Sequence, residues 1–271
     1  MAIRMALEAM PPMPLVSMRY VLSGAILLAI CLLLRMQLPA WREIWRTSRN
    51  GVLILGVGNG CLAFAETWIP SGMAALIISV APFWMIGLNA ILPPRERVNR
   101  GTIVSLLVGL GGAALLVGPG AIAGGAGGRA LLRGFLVLML GCFSWSLGSL
   151  LQRKQHSAAN PILLAAIQQL AAGLAFVPLA SAGAGSIQFT ARGMWAVAYL
   201  VVFGSLVGYT SYVYALKHLP VALVASHNYV NPVVAVILGW VFYREPFGMR
   251  EAVAMMVIFT GVAMVKRFDR H

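Results

Sequence analysis

The chain has 271 residues, 60% of them hydrophobic and only 10% charged, with a mean hydropathy of +0.87. An ordinary globular domain carries about 25% charged residues, so this composition excludes a soluble domain and points to an integral membrane protein. The net charge of +13 would suit a nucleic-acid binder, but the cations sit between apolar runs and form no patch, so no nucleic-acid partner is expected.

Apolar runs follow one another from the N-terminus: 13–34, 51–67, 71–92, 101–118, 134–151, 161–181, 193–215, 220–243 and 248–266. Each is of the order of the 17 to 25 residues needed to cross a hydrocarbon layer about 30 Å thick, which predicts nine helical spans, since lipid offers unpaired backbone groups no partners. Taking every second connection from 35–50, one side collects thirteen Lys and Arg residues, among them Arg153, Lys154 and Lys217, against six on the other, with Arg19 inside a span. The positive-inside bias makes the richer side cytoplasmic and places the C-terminus there. The stretch Trp41 to Arg49 is amphipathic and is expected to lie along the inner surface.

The two halves of the chain match at an offset of 150 residues: Pro11 with Pro161, Gly58 with Gly208, Pro70 with Pro220, Pro82 with Pro232, Arg100 with Arg250 and Gly111 with Gly261. Residues 1–118 read as a first repeat, 119–133 as a linker made flexible by its Gly-rich run, and 134–268 as a second repeat. The span at 134–151 has its counterpart upstream of Met1, so the expectation is two five-helix repeats with nine helices present of ten. An odd number of spans inverts the second copy relative to the first, the architecture of secondary transporters.

The stretch Gly58-Asn59-Gly60, then Glu66-Thr67-Trp68-Ile69-Pro70-Ser71-Gly72-Met73, then Ala81-Pro82-Phe83-Trp84, resembles the first half of EamA-type members of the drug/metabolite transporter superfamily. Tyr229-Val230-Asn231-Pro232, running on to Gly239-Trp240 and Arg244-Glu245-Pro246, resembles the end of their second half. The resemblance implies ten helices and a multi-pass protein of a bacterial inner membrane that exports small metabolites, amino acids or drug-like solutes by alternating access. Its partners would be a small-molecule substrate and the lipid bilayer, with a homodimer as an open assembly. Two other readings stand beside it: an intramembrane enzyme using His227 or Glu66, and a nonfunctional truncated fragment of a transporter.

Polar groups in hydrocarbon are costly and usually face a cavity or another helix. On that ground the candidate substrate-binding residues are Trp145, Asn59, Tyr209, Asn228, Asn231, Gln168, Gln169 and Arg19. Arg19 lies about 9 Å below the outer face at 1.5 Å per residue, so it either snorkels outward or pairs with Glu66, or it meets a substrate carboxylate or phosphate. Glu66 and His227 are candidate gating or proton-linked groups; the bland alternatives are an exposed rim residue and a packed histidine. His227, Asn228 and Asn231 precede Pro232, which frees a carbonyl nearby. Asn59 and Tyr209 are partners under the offset. Cys31, Cys61 and Cys142 read as buried thiols, and the sequence offers no metal cluster, no phosphate-binding loop and no cofactor site.

Overall fold

The computed structural model describes residues 1–93, 100–122, 125–155, 157–219, 224, 234, 237–238, 240–242, 244 and 248–268. Among them every regular element is helical. They are α1 (Ala2–Leu7), α2 (Pro12–Leu33), α3 (Trp41–Gly51), α4 (Asn59–Ala65), α5 (Ser71–Ile78), α6 (Ala81–Ile91), α7 (Arg100–Ile122), α8 (Gly125–Lys154), α9 (Pro161–Ser181), α10 (Ala191–Tyr199), α11 (Thr210–His218) and α12 (Met249–Phe268). Five helical stretches, 12–33, 71–91, 127–154, 161–181 and 191–218, are long and apolar enough to cross a membrane. The protein is an all-α integral membrane protein.

Two π-helices interrupt this series. The first, Val52–Gly58, joins α3 to α4, and the second, Leu200–Tyr209, joins α10 to α11. Both occupy equivalent places under the offset read from the sequence. Gly208 shows what permits the wide turn: a Cβ there would stand 2.8 Å from the carbonyl oxygen of Phe203, five residues back.

The chain divides into two compact units, residues 2–63 with 147–224, and residues 64–146 with 225–271. Each unit gathers corresponding parts of both sequence halves, since 2–63 maps near 152–213 and 64–118 near 214–268. In the first unit the most extensive packing is α2 on α9; in the second it is α7 on α12. Each pairs a helix with its own counterpart.

The contacts give the sense of each pair. A Cβ on Gly24 would collide with Leu170, and one on Gly173 with Val21. Position numbers fall along one helix as they rise along the other, so α2 and α9 run antiparallel. Gly112 meets Ile258 and Gly261 meets Gly109 in the same way, so α7 and α12 are antiparallel too. A helix antiparallel to its own counterpart is what an inverted repeat requires. Both contact sets are mates at an offset of 149, one residue from the sequence offset, and α2 accordingly opens at Pro12 where α9 opens at Pro161.

Helix faces follow composition. On α2, Tyr20, Ser23, Leu27 and Cys31 are buried, while Leu22, Ile26, Ile30 and Leu33 stand exposed on the opposite stripe. Such a polar-lined inner face with an apolar outer face fits a helix bounded by lipid rather than water.

One expectation needs correction. The 119–133 segment is not a flexible linker over its length, because α7 continues to Ile122 and α8 starts at Gly125, whose φ of 72° takes the left-handed turn. Trp41 to Arg49 is helical, with Trp41 and Trp45 exposed, and Val52 keeps helical angles (φ −61°, ψ −41°), so the backbone runs unbroken from α3 through the π-helix into α4.

In the second unit the long helix at 71–91 is broken between α5 and α6, just before Pro82. Proline has no N–H for the carbonyl four residues back, which is Ile78. The thiol of Cys142 on α8 lies 4.0 Å from that oxygen, and one turn along, Ser146 Oγ donates to the carbonyl of Ala81 at 3.2 Å. Side chains of α8 thus repair a break that lipid could not.

Candidate functional site

The polar groups of the first unit are joined into a buried hydrogen-bond system. Its core is a chain: Tyr209 Oη donates to Gln168 Oε1 at 2.9 Å, and Gln168 Nε2 donates to Gln152 Oε1 at 2.8 Å. Asn50 Nδ2 reaches the same Gln152 oxygen at 3.3 Å and Gln155 Oε1 at 3.1 Å, and Gln155 Nε2 donates to Thr47 Oγ1 at 3.0 Å. Four elements, α3, α8, α9 and the second π-helix, are tied by neutral amides and hydroxyls. The chain starts at the end of α8 that carries Lys154 and reaches Gln168, seven residues into α9 and so about 10 Å deep.

A second bond matches the first across the duplication. Asn59, directly after the first π-helix, donates through Nδ2 to Tyr20 Oη at 2.7 Å, just as Tyr209, at the end of the second, donates to Gln168. In both copies the residue closing the wide turn bonds to the preceding long helix. The π-helix appears here where such features commonly occur, beside polar interior groups.

Arg19 does not snorkel. Its side chain is 9% exposed, Nε donates to Ser205 Oγ at 2.8 Å on the second π-helix, and the guanidinium carbon lies 4.9 Å from the centre of the Tyr20 ring. A cation–π contact and one hydroxyl partly offset the cost of holding a cation at this depth. Tyr212 stacks on Tyr209 with centroids 6.0 Å apart and shares a 2.7 Å hydrogen bond with Ser149.

Gln169 differs from all of these. It is fully buried next to Leu170, and neither carboxamide atom has a hydrogen-bond partner among the described residues. Ser23 Oγ, next to Gly24 and fully buried, is in the same state. Both flank the α2–α9 crossing. An unmet carboxamide costs about 1 to 3 kcal/mol per buried group, so Gln169 is the interior group most in want of a partner.

The remaining candidates lie elsewhere. Trp145 is half-buried on α8 and belongs to the second unit, with Ser144 buried beside it. Glu66 sits half-buried in the turn that follows α4, also in the second unit, and has contacts of its own. Trp84 packs edge-on against Phe143 at 5.4 Å, and Trp195 stands exposed at the start of α10, as an interfacial anchor would. His227, Asn228 and Asn231 lie outside the described residues.

Sequence reasoning missed Tyr20, Thr47, Asn50, Ser149, Gln152, Gln155 and Ser205, which supply more than half of the network. Asn50 and Gln152 fall at span ends, where a polar residue reads as rim. Tyr20 and Ser205 carried a usable signal, since one neighbours Arg19 and the other precedes Tyr209 by one helical turn.

Comparison with known proteins agrees with this architecture. The profile of the EamA-like transporter family matches residues 1–118 and 132–267. An uncharacterized inner membrane transporter of Escherichia coli K12, YedA, is 32% identical over 268 residues, covering 97% of this chain and 84% of that protein. An uncharacterized transporter of Archaeoglobus fulgidus is 21% identical, with 98% and 92% covered, and the uncharacterized transporter YvbV of Bacillus subtilis is 24% identical, with 96% and 84% covered. One solved crystal structure superposes with a TM-score of 0.71 at 21% identity, covering 96% of this chain and 90% of its own, which extends the likeness to the fold. With the family profile covering both halves of the chain and YedA so similar along nearly all of it, this membrane protein belongs to the EamA-like transporter family.

Proposed function

We propose that this chain is a secondary transporter that exports a small metabolite, amino acid or drug-like solute by alternating access. The reading divides the chain into repeats at 1–118 and 134–268, in a bacterial inner membrane with the C-terminus in the cytoplasm. The observation that carries it is Gln169, whose buried amide has no partner among the described residues while the adjacent Gln168 is hydrogen-bonded through both of its carboxamide atoms. Buried polar atoms are nearly always satisfied, and a passing solute supplies donors and acceptors that a purely structural interior would not need. Gln168, Tyr209, Asn59 and Arg19 frame the polar interior, Trp145, Asn228 and Asn231 contribute further substrate contacts, and Glu66 and His227 serve gating or proton coupling.

The two π-helices give the motion a place. Narrowing a wide turn by one residue rotates everything beyond it, so Asn59 and Tyr209 would change partners as either segment converts.

Flux of amino acids and nucleosides in proteoliposomes tests the proposal. Gln169→Leu and Trp145→Ala should each lower flux at least about tenfold, a loss of about 1.4 kcal/mol, with membrane insertion unchanged. Wild-type flux in both variants, or an absence of any solute movement with chemical turnover instead, would reject transport through these residues in favour of packing or catalysis.

A further inference from the structure

A cavity of about 280 Å³ opens in the first unit where α8, α9 and α11 end or begin. Its polar wall is Gln152, Arg153, Ser157 and Lys217, and its apolar wall is Leu164, Val213 and Leu216. We infer that this cavity binds the phosphate of an anionic membrane lipid, with Arg153 and Lys217 as the charge partners.

Depth comes first. Arg153 lies one residue from the end of α8, Lys217 one residue from the end of α11, and α9 begins at Pro161. The ends of membrane-crossing helices stand in the headgroup layer, and a basic pocket between helices there suits an anionic headgroup. Charge comes second. Arg153 and Lys217 line the cavity with no carboxylate among its lining residues; the nearest, Glu43, is held by the hydroxyl of Ser157 at the edge.

Donor geometry comes third. Arg153 Nη1 donates to the carbonyl of Leu219 at 2.7 Å and of Leu216 at 3.4 Å, and Lys217 Nζ donates to the carbonyl of Ala159 at 2.7 Å. These bonds fix both cations at the cavity wall and use few of their donors, since a guanidinium has five N–H groups and an ammonium three. Depth then decides the kind of ligand, since a lipid holds its phosphate in the layer where these helix ends stand.

The site has a route inward. Gln152 is both a wall of the cavity and the acceptor for Asn50 and Gln168, so a headgroup seated there touches the chain that ends at Tyr209.

Native mass spectrometry and thermal unfolding of the whole protein in detergent test this, with phosphatidylglycerol, phosphatidylcholine or inorganic phosphate added. Phosphatidylglycerol should remain bound and raise the melting temperature, and the double variant Arg153→Gln, Lys217→Gln should retain it roughly 30-fold less well, the product of two charge contacts. Arg129→Gln with Arg133→Gln, exposed cations at the other end of α8, should leave retention unchanged. Should the double variant fold poorly, Lys217→Gln alone serves, with a loss of roughly fivefold. Equal retention of phosphatidylcholine, equal retention by the variants, or stabilisation by inorganic phosphate alone would overturn the lipid assignment. Binding is read without flux, so its failure and that of the transport proposal are separable.

Discussion

The two units open their helices in different ways, and the difference decides which side chains are left for other work. In the unit of residues 64–146 and 225–271, the helix at 71–91 is cut before Pro82, and Cys142 and Ser146 approach the carbonyls of Ile78 and Ala81 on either side of the cut. In the unit of residues 2–63 and 147–224, the π-helices keep their backbone bonds while widening the turn. Asn59, Tyr209 and Ser205, on or beside those wide turns, bond other side chains, and the buried polar network grows from them.

Substitutions can break this comparison. The largest effect is expected where both units are alike: Gly24→Leu and Gly112→Leu each force a side chain into the backbone of the partner helix, at a cost of about 3 kcal/mol or more. Thermal unfolding in detergent should show both as severely destabilised; a mild loss in either would mean that its helix pair tolerates separation. Next comes Gln168→Leu, which strands the Tyr209 hydroxyl and removes one of the donors to Gln152 Oε1, and should cost about 1 to 3 kcal/mol. That cost should appear as lower stability together with lost flux.

A finer contrast comes from single hydrogen bonds. Tyr20→Phe removes the partner of Asn59 and should cost about 0.6 to 1.7 kcal/mol, the range for side-chain hydrogen bonds inside membranes. The smallest effect is expected at the repaired break, where Ser146→Ala loses one hydroxyl on the Ala81 carbonyl, at about 0.5 to 1 kcal/mol, with flux kept. If Ser146→Ala abolished flux while Tyr20→Phe did not, the assignment of structural work to Ser146 and of solute-facing work to the network around Tyr20 would be reversed.

The spans were readable because lipid imposes a strong compositional signal: the run at 161–181 is α9 to the residue. Inversion was readable from spacing alone, since an odd number of spans leaves no other sense for the second copy. The π-helices were not. A turn of five residues differs from one of four by a shift in bonding that no side chain announces, and Gly58 and Gly208 stood out as partners in the repeat. Of the site, Gln168 and Tyr209 were found by burial cost, whereas their mutual bond joins residues 41 positions apart and depends on how two helices face each other. Arg19 was placed inside a span, where α2 holds it, but its turn toward Ser205 required knowing that the second π-helix passes beside it.

The crossings of α2 with α9 and of α7 with α12 have a consequence for how such a chain arises. In each, a surface meets a copy of itself turned through half a rotation, which is the definition of an isologous interface in a two-fold dimer. A single half-length chain would carry both faces of both crossings, so two separate molecules inserted in opposite senses could close them without any covalent link. Gene fusion would then add nothing to the interfaces; it would free each face to change alone, as Asn59 and Tyr209 have, so that one half can grip what the other merely lets pass.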